Sequence, residues 1–206
     1  MIQLSLAKIK INKAFTNPYI FHYIRYLFNF GFNTKHVKNF LCPEKVDMIL
    51  DVGCGIGYYS KIIDSANYLG IDSNEKYIDF ARLHYANSEK DFLKMNFLCE
   101  SLPNTERKAN KCLLIGVIHH LSDNEVNQLF SKLSEMDFEF IITQDPFYSK
   151  WHLINNFICS LDRGKYVRKV ASYKKLILSH FDIISSKRIL YKNLLTTHIL
   201  FKIKPK

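Results

Sequence analysis

The chain of 206 residues reads as an α/β domain built on a mostly parallel sheet with helices on both faces. Three observations carry that reading. Short apolar runs alternate with longer segments of helical periodicity from Met48 onward. The first run, Ile49-Leu50-Asp51-Val52, passes directly into Gly53-Cys54-Gly55-Ile56-Gly57, a turn made of the residue that tolerates positive φ. The chain then closes on two strand-like runs, 183–191 and 196–203. In the second, Ile199, Phe201 and Ile203 alternate with Leu200, Lys202 and Lys204.

In order, residues 1–46 read as a helical cap and 47–206 as the α/β core of one domain. Ile20, Tyr23, Ile24, Leu27 and Phe28 mark one apolar helix face; Val37, Phe40 and Leu41 begin another, which stops at Pro43. Strand 48–52 leads through the glycine turn to a helix carrying Tyr58, Tyr59, Ile62 and Ile63. Strand 68–71 ends at Asp72, and Ser73 is placed to cap a helix with Tyr77, Ile78, Ala81 and Tyr85 inward. Residues 91–98 form a third strand and 111–118 a fourth. Ser122 and Glu125 are spaced as a capping box for a helix that buries Val126, Leu129, Phe130, Leu133 and Met136. A fifth strand, 138–143, ends at Gln144-Asp145-Pro146; helices follow at 151–160 and 171–180.

Composition narrows the class. Hydrophobic residues make up 48% and charged residues 23%, the proportions of an ordinary globular domain. No apolar run reaches the roughly 18 residues of a membrane span, and the lysines follow rather than precede the short apolar stretch at the N-terminus, unlike a signal peptide. Five cysteines form no CxxC pair, as expected of reduced thiols in a cytoplasmic protein. The net charge of +10 is concentrated: from Lys150 onward there are 13 Lys and Arg against Asp162 and Asp182. That last quarter is suited to an anionic small molecule, an acidic membrane surface or nucleic acid.

The turn itself specifies a ligand type. A dinucleotide-binding fingerprint spaces its glycines G-x-G-x-x-G; here the spacing is G-x-G-x-G, with Tyr58 where the third glycine would stand. Asp51 precedes the first glycine, and a carboxylate there repels a pyrophosphate but suits an ammonium group. The turn therefore favours a nucleoside with a cationic tail over a nicotinamide dinucleotide.

These residues resemble the class I S-adenosylmethionine-dependent methyltransferases, in particular the small single-domain members. The resemblance rests on Leu50-Asp-Val-Gly-Cys-Gly-Ile-Gly57, on Tyr68-Leu-Gly-Ile-Asp72-Ser73 with Ala81-Arg82 following, and on Gly116-Val-Ile-His-His-Leu121. It implies a Rossmann-like, seven-stranded sheet ending in an antiparallel hairpin, and S-adenosyl-L-methionine as cofactor. It also implies a cofactor site of Asp51, Gly53, Cys54, Gly55, Gly57, Asp72, Ser73, Asn96, Phe97, Gly116 and Val117. Asp72, at a strand's carboxyl end, is suited to accept from both ribose hydroxyls. Asn96 or Leu98 stands where the family carries an adenine-contacting acid, and Asn110-Lys111 where it has another. The implied activity is in-line methyl transfer to an oxygen or nitrogen of a small, anionic acceptor. Transfer to RNA, or a non-catalytic binding or scaffold role, is the alternative.

Candidates for proton removal are His119, His120 and Asp145, at strand carboxyl ends where a group titrating near neutrality is useful. Tyr23 from the cap, and Arg163 and Arg168 around Gly164, are candidates for the acceptor site, the arginines as a clamp for phosphate or carboxylate. No further His or Cys falls at ligand spacing, so no metal is expected.

Overall fold

The structure, a computed structural model, describes residues 17–28, 34–63, 67–102, 108–161, 164–190 and 196–206. Its elements are helices α1 (Pro18–Phe28) and α2 (Thr34–Leu41), strand β1 (Met48–Val52), a 3₁₀ turn (Tyr58–Ile62), β2 (Asn67–Asp72), α3 (Glu75–Tyr85), β3 (Lys90–Lys94) and β4 (Lys111–Ile115). A second 3₁₀ turn (Ile118–His120), α4 (Asp123–Ser134), β5 (Phe140–Pro146), α5 (Leu153–Leu161), α6 (Val170–Leu178), β6 (Phe181–Leu190) and β7 (Thr197–Pro205) complete it. The seven strands lie in the order β3-β2-β1-β4-β5-β7-β6. The first five are parallel, and β7 runs antiparallel to both β5 and β6. This is the mixed sheet with a closing hairpin that the motifs imply. The order reverses direction between β1 and β4, which opens a crevice at their carboxyl ends.

The central strands are apolar on both faces because helices cover both. From β1, Leu50 and Val52 join Leu114, Phe130 and Tyr173 on one face; Ile49 joins Tyr68, Phe92, Leu113 and Leu200 on the other, with Val37 and Leu41 of α2. Among the described residues, no helix is long and apolar enough to cross a membrane.

Several local expectations are corrected. The segment after the glycine turn is one 3₁₀ turn, not an amphipathic helix. The 14 residues 53–66 that join Val52 to Asn67 are close to the dozen-residue minimum of a parallel crossover, and the glycine turn takes the first five of them. The fourth strand ends at Ile115, since Gly116 takes φ 71° and turns the chain away from the sheet. The helix cap after β2 is Asn74, whose Oδ1 accepts from the Lys76 amide at 3.1 Å, rather than Ser73. The capping box stands as read: the Ser122 hydroxyl accepts from the Glu125 amide, and Glu125 reaches back to Ser122 N at 2.8 Å.

The stripe read on α1 is rotated. Phe21 stacks on Tyr77 at 5.3 Å and Tyr19 meets the Phe80 ring edge-on at 5.0 Å, so α1 lies on α3 with Ile20 and Tyr23 outward. The side chains of 24–28, with Ile24, Leu27 and Phe28 of that stripe, lie outside the described residues, as does Tyr191.

Asn110 and Lys111 have a structural task at the amino end of the sheet. Lys111 Nζ donates to Asp47 Oδ2 at 2.7 Å and Asn110 Nδ2 to Asp47 Oδ1 at 2.8 Å, while Asn110 Oδ1 accepts from Met48 N at 2.8 Å. The network ties the entrance of β1 to that of β4, with both charges buried and each satisfied by the other.

Candidate functional site

The site grows from the end of β1. Gly53 (φ 74°) reverses the chain, and the amides of Gly53 and Cys54 both donate to Ile71 O, at 2.8 and 3.0 Å, closing the turn against β2. The turn presses on the segment that follows β4: a Cβ on Gly53 would stand 2.6 Å from Val117 Cγ2. Gly57 (φ 75°) is packed as tightly, with Phe92 and Ala81 at 2.7 and 2.9 Å from where its Cβ would be. Gly55 differs. Its φ is 57°, and among the described residues no atom lies within 4 Å of its missing Cβ.

Asp72 is fixed by this turn. Its Oδ2 accepts from the Gly55 amide at 2.9 Å and its Oδ1 from the Asn74 amide at 2.8 Å. Two amides set the carboxylate plane at the carboxyl end of β2.

Next to it lies a cleft of about 120 Å³. It is lined by Gly53, Asp72, Ser73, Asn96, Phe97 and Val117, over an apolar floor of Val52, Ile71, Met95, Leu98, Leu121 and Leu129. One carboxylate at the rim of an apolar slot suits a flat heterocycle carrying a polyol. Asn96 lies beyond β3, which ends at Lys94, and its Oδ1 accepts from the Leu98 amide at 3.2 Å. Lys132 of α4 fastens the same turn, its Nζ bonding the carbonyls of Phe97 and Leu98, both at 2.9 Å, and lying 5.7 Å from the Phe97 ring centroid. Nothing in the sequence around Lys132 separates it from a solvated lysine.

Asp51 and Cys54 stand behind the turn, outside the cleft lining, both buried. Asp51 Oδ2 accepts from the Tyr68 hydroxyl at 2.6 Å, and its Oδ1 has no hydrogen-bond partner among the described residues. Burial pushes the Asp51 carboxyl up to about 7, with the Asp72 charge adding to the shift and the Tyr68 hydroxyl opposing it. Burial likewise holds the Cys54 thiol well above its usual range. Gly116 sits across the turn from the 3₁₀ segment, its missing Cβ 3.7 Å from His119 Cε1.

On the β5 side, His119 Nδ1 lies 2.7 Å from Asp145 Oδ1, which also accepts from the His119 amide at 3.1 Å. Both residues are buried, and burial raises the Asp145 carboxyl despite the imidazole beside it. Gly164 lies flat on the His119 ring, where a Cβ would fall 2.0 Å from Cδ2, and Tyr166 N donates to His119 O at 3.0 Å. His120 is exposed, with its ring centroid 4.1 Å from that of His119.

Arg168 corrects an expectation. All five of its N–H groups are spent inside the protein: Nε and Nη2 on Asp123 Oδ1 at 2.9 and 2.6 Å, Nη1 on Ile118 O and Tyr166 O, both at 2.9 Å, and Nη2 also on Leu121 O at 2.7 Å. It ties segment 164–168 to the 3₁₀ turn and the start of α4, and presents no donor to a substrate. Tyr23 is exposed on α1 and is not among the residues lining the cleft. Arg163 lies outside the described residues.

Comparison with known proteins agrees with this geometry. Residues 49–136 match the family model of a methyltransferase domain. A ubiquinone biosynthesis O-methyltransferase of Bartonella tribocorum is 27% identical over 139 residues, which cover 66% of this chain and 56% of that protein. This chain therefore spans little more than half the length of that relative. Among solved structures, a magnesium protoporphyrin IX methyltransferase from Synechocystis PCC 6803 with bound S-adenosylhomocysteine superposes with TM-score 0.62 at 19% identity, covering 84% of this chain and 81% of the other. The N-methyltransferase NodS from Bradyrhizobium japonicum gives 0.65 at 13% identity, with 84% of each chain covered. The fold is that of class I S-adenosylmethionine-dependent methyltransferases. The match to the methyltransferase-domain model lies on β1 through α4.

Proposed function

We propose that this protein transfers a methyl group from S-adenosylmethionine to an oxygen or nitrogen of a small acceptor. The observation that carries the reading is the Asp72 carboxylate, held by the Gly55 and Asn74 amides at the rim of an apolar slot. The residues present fit the cofactor. Asp72 suits the ribose, the slot over Met95 and Phe97 suits the base, and the open space at Gly55 lets a ligand approach the backbone. Behind the turn, the unpartnered Asp51 Oδ1 is a buried acceptor that a ligand's ammonium group would satisfy. When bound, S-adenosylmethionine supplies a methyl group already activated on a sulfonium.

The chain's own contribution is then alignment, which can lower a barrier by roughly 7–11 kcal/mol. For a hydroxyl acceptor a proton must also leave. The imidazole pair His119–His120, with Asp145 holding His119 by Nδ1, is the cluster we assign to that step. The anionic character expected of the acceptor loses Arg168 as its clamp and rests on the exposed lysines of the last quarter. The rival reading, a domain that binds the cofactor without turnover, draws on Asn96: a neutral amide oxygen already engaged by the Leu98 amide stands in place of an acid.

Calorimetry with S-adenosylmethionine and S-adenosylhomocysteine, followed by label transfer from methyl-tritiated cofactor into cell extract, tests both. Binding with label transfer supports the enzyme, and binding without transfer to any acceptor supports the rival. No binding by folded protein at millimolar ligand overturns the site.

A further inference from the structure

Helix α5 faces the wrong way for a helix of a globular body. Its two asparagines bond inward, while Ser160 is exposed. Asn155 is fully buried, donating from Nδ2 to Phe147 O at 2.8 Å and accepting at Oδ1 from Thr197 N at 2.7 Å. Asn156 grips Ser149 by both backbone groups, accepting from its amide at 2.9 Å and donating to its carbonyl at 2.8 Å. These bonds are made to backbone at the carboxyl end of β5 and the start of β7, so they set the helix's rotation about its axis.

The apolar side is consequently turned out. At 100° per residue, Leu153, Phe157 and Ile154 fall within one arc about 100° wide. They are 78%, 62% and 57% exposed, and Trp151, just before the helix, is 86% exposed. An amphipathic helix ordinarily buries that stripe, and a contiguous exposed apolar face marks an interaction surface.

Charge selects the occupant. Lys150 stands 5.1 Å from the Trp151 ring centroid, and Lys165, Lys169, Lys174 and Lys175 are exposed in the segment that follows α5. Between Lys150 and His180 the sequence holds one acid, Asp162. Lysine is depleted from protein–protein contact surfaces, and a second copy would set like charges against each other. A bilayer with anionic headgroups accepts both features, with aliphatic side chains at the acyl boundary, ammonium groups among phosphates and tryptophan at headgroup level. We propose that α5 is an interfacial helix that seats this domain on an anionic lipid surface, with Leu153, Ile154 and Phe157 downward. The helix hangs from the carboxyl edge of the sheet, the edge that also carries the cleft. The proposal does not depend on methyl transfer.

Trp151 is the one tryptophan of the chain, so its fluorescence reports this patch directly. The full chain is titrated with vesicles of phosphatidylcholine mixed with phosphatidylglycerol, with phosphatidylcholine alone, and with brominated lipids in the mixture. The expected result is a blue shift and bromine quenching on the anionic vesicles. Partitioning should be at least about tenfold weaker on the neutral ones, given a gain of roughly fivefold per lysine near an anionic surface. Leu153→Ser with Phe157→Ser should lower partitioning at least about tenfold while circular dichroism and cofactor affinity stay unchanged, since both side chains are exposed. The proposal is overturned if folded protein shows no shift on anionic vesicles, or if the double variant partitions undiminished. It is overturned equally if sedimentation shows a dimer that the double variant abolishes, which would give the face to a second copy. Vesicle binding is read without any methyl acceptor, so its failure and failure of the methyltransferase reading are separate results.

Discussion

The Gly55 amide donates to Asp72 Oδ2 at 2.9 Å, so the glycine turn and the acid at the end of β2 form one unit although 17 residues separate them. Gly53 and Cys54 bond the β2 backbone at Ile71 in the same place. The turn thus sets the orientation of the carboxylate before any ligand arrives.

Removing that carboxylate should damage both partners of the bond. Asp72→Ala strands the Gly55 and Asn74 amides and takes away the charged acceptor proposed for the ribose. A hydrogen bond to a charged group is worth about 1.5–3 kcal/mol, so affinity for S-adenosylmethionine should fall by at least about tenfold in calorimetry. Asp72→Asn, which keeps one acceptor oxygen, should fall between.

Two glycines of the turn should fail for different reasons. Gly57→Ala forces a Cβ to within 2.7 Å of Phe92 Cε1 at φ 75°, and should cost about 2–4 kcal/mol in urea unfolding. Gly55→Ala meets no atom within 4 Å among the described residues. It should cost only about 1 kcal/mol of stability, yet abolish cofactor binding if that space is where the ligand meets the backbone. Equal binding by wild type and Gly55→Ala would remove the turn from the site.

Asp51 makes both stability and affinity depend on pH. Its carboxyl titrates at about 7 in the folded protein because of burial, against 3.8 in the unfolded chain. Between those values the folded state holds a proton that the unfolded state has released. Stability from this group is therefore fully present near pH 4 and is lost as pH rises towards 7. At about 1.4 kcal/mol per unit, the swing is on the order of 4 kcal/mol. A cationic ligand group drawn to Asp51 has the opposite demand, since it needs the ionised form, and cofactor affinity should rise over the same interval. Asp51→Asn should flatten both curves, read by urea midpoints and calorimetry at several pH values.

Arg168 should behave as a strut. Arg168→Lys supplies three donors where five are used, leaving carbonyls such as Ile118 O and Leu121 O without their partner. We expect a loss of about 2–4 kcal/mol in the unfolding free energy. An arginine reserved for an acceptor would leave the unfolding midpoint where it was.

Much of this was legible along the chain because the signals are local. Parallel strands announce themselves as apolar runs, and the glycine turn, Asp72 and the Ser122–Glu125 capping box are spelled out within a few residues of where they act. The side of a helix that faces inward was less legible. On α1 the periodic stripe pointed to Ile20 and Tyr23, but stacking on Tyr77 turned Phe21 in instead. Chain length, rather than residue pattern, explains the missing helix after the turn.

Sequence alone established the α/β class, the turn and its acid, since these follow from backbone preferences and spacing over short stretches. Tertiary contacts decided what each long polar side chain does. An arginine offered to a substrate and one spent on Asp123, 45 residues away, are the same letter, and so are a solvated lysine and Lys132 fastened to the Phe97 turn. The outward apolar face of α5 follows from the same cause. Its rotation is set by hydrogen bonds from Asn155 to the ends of two strands, contacts that no periodicity within the helix encodes.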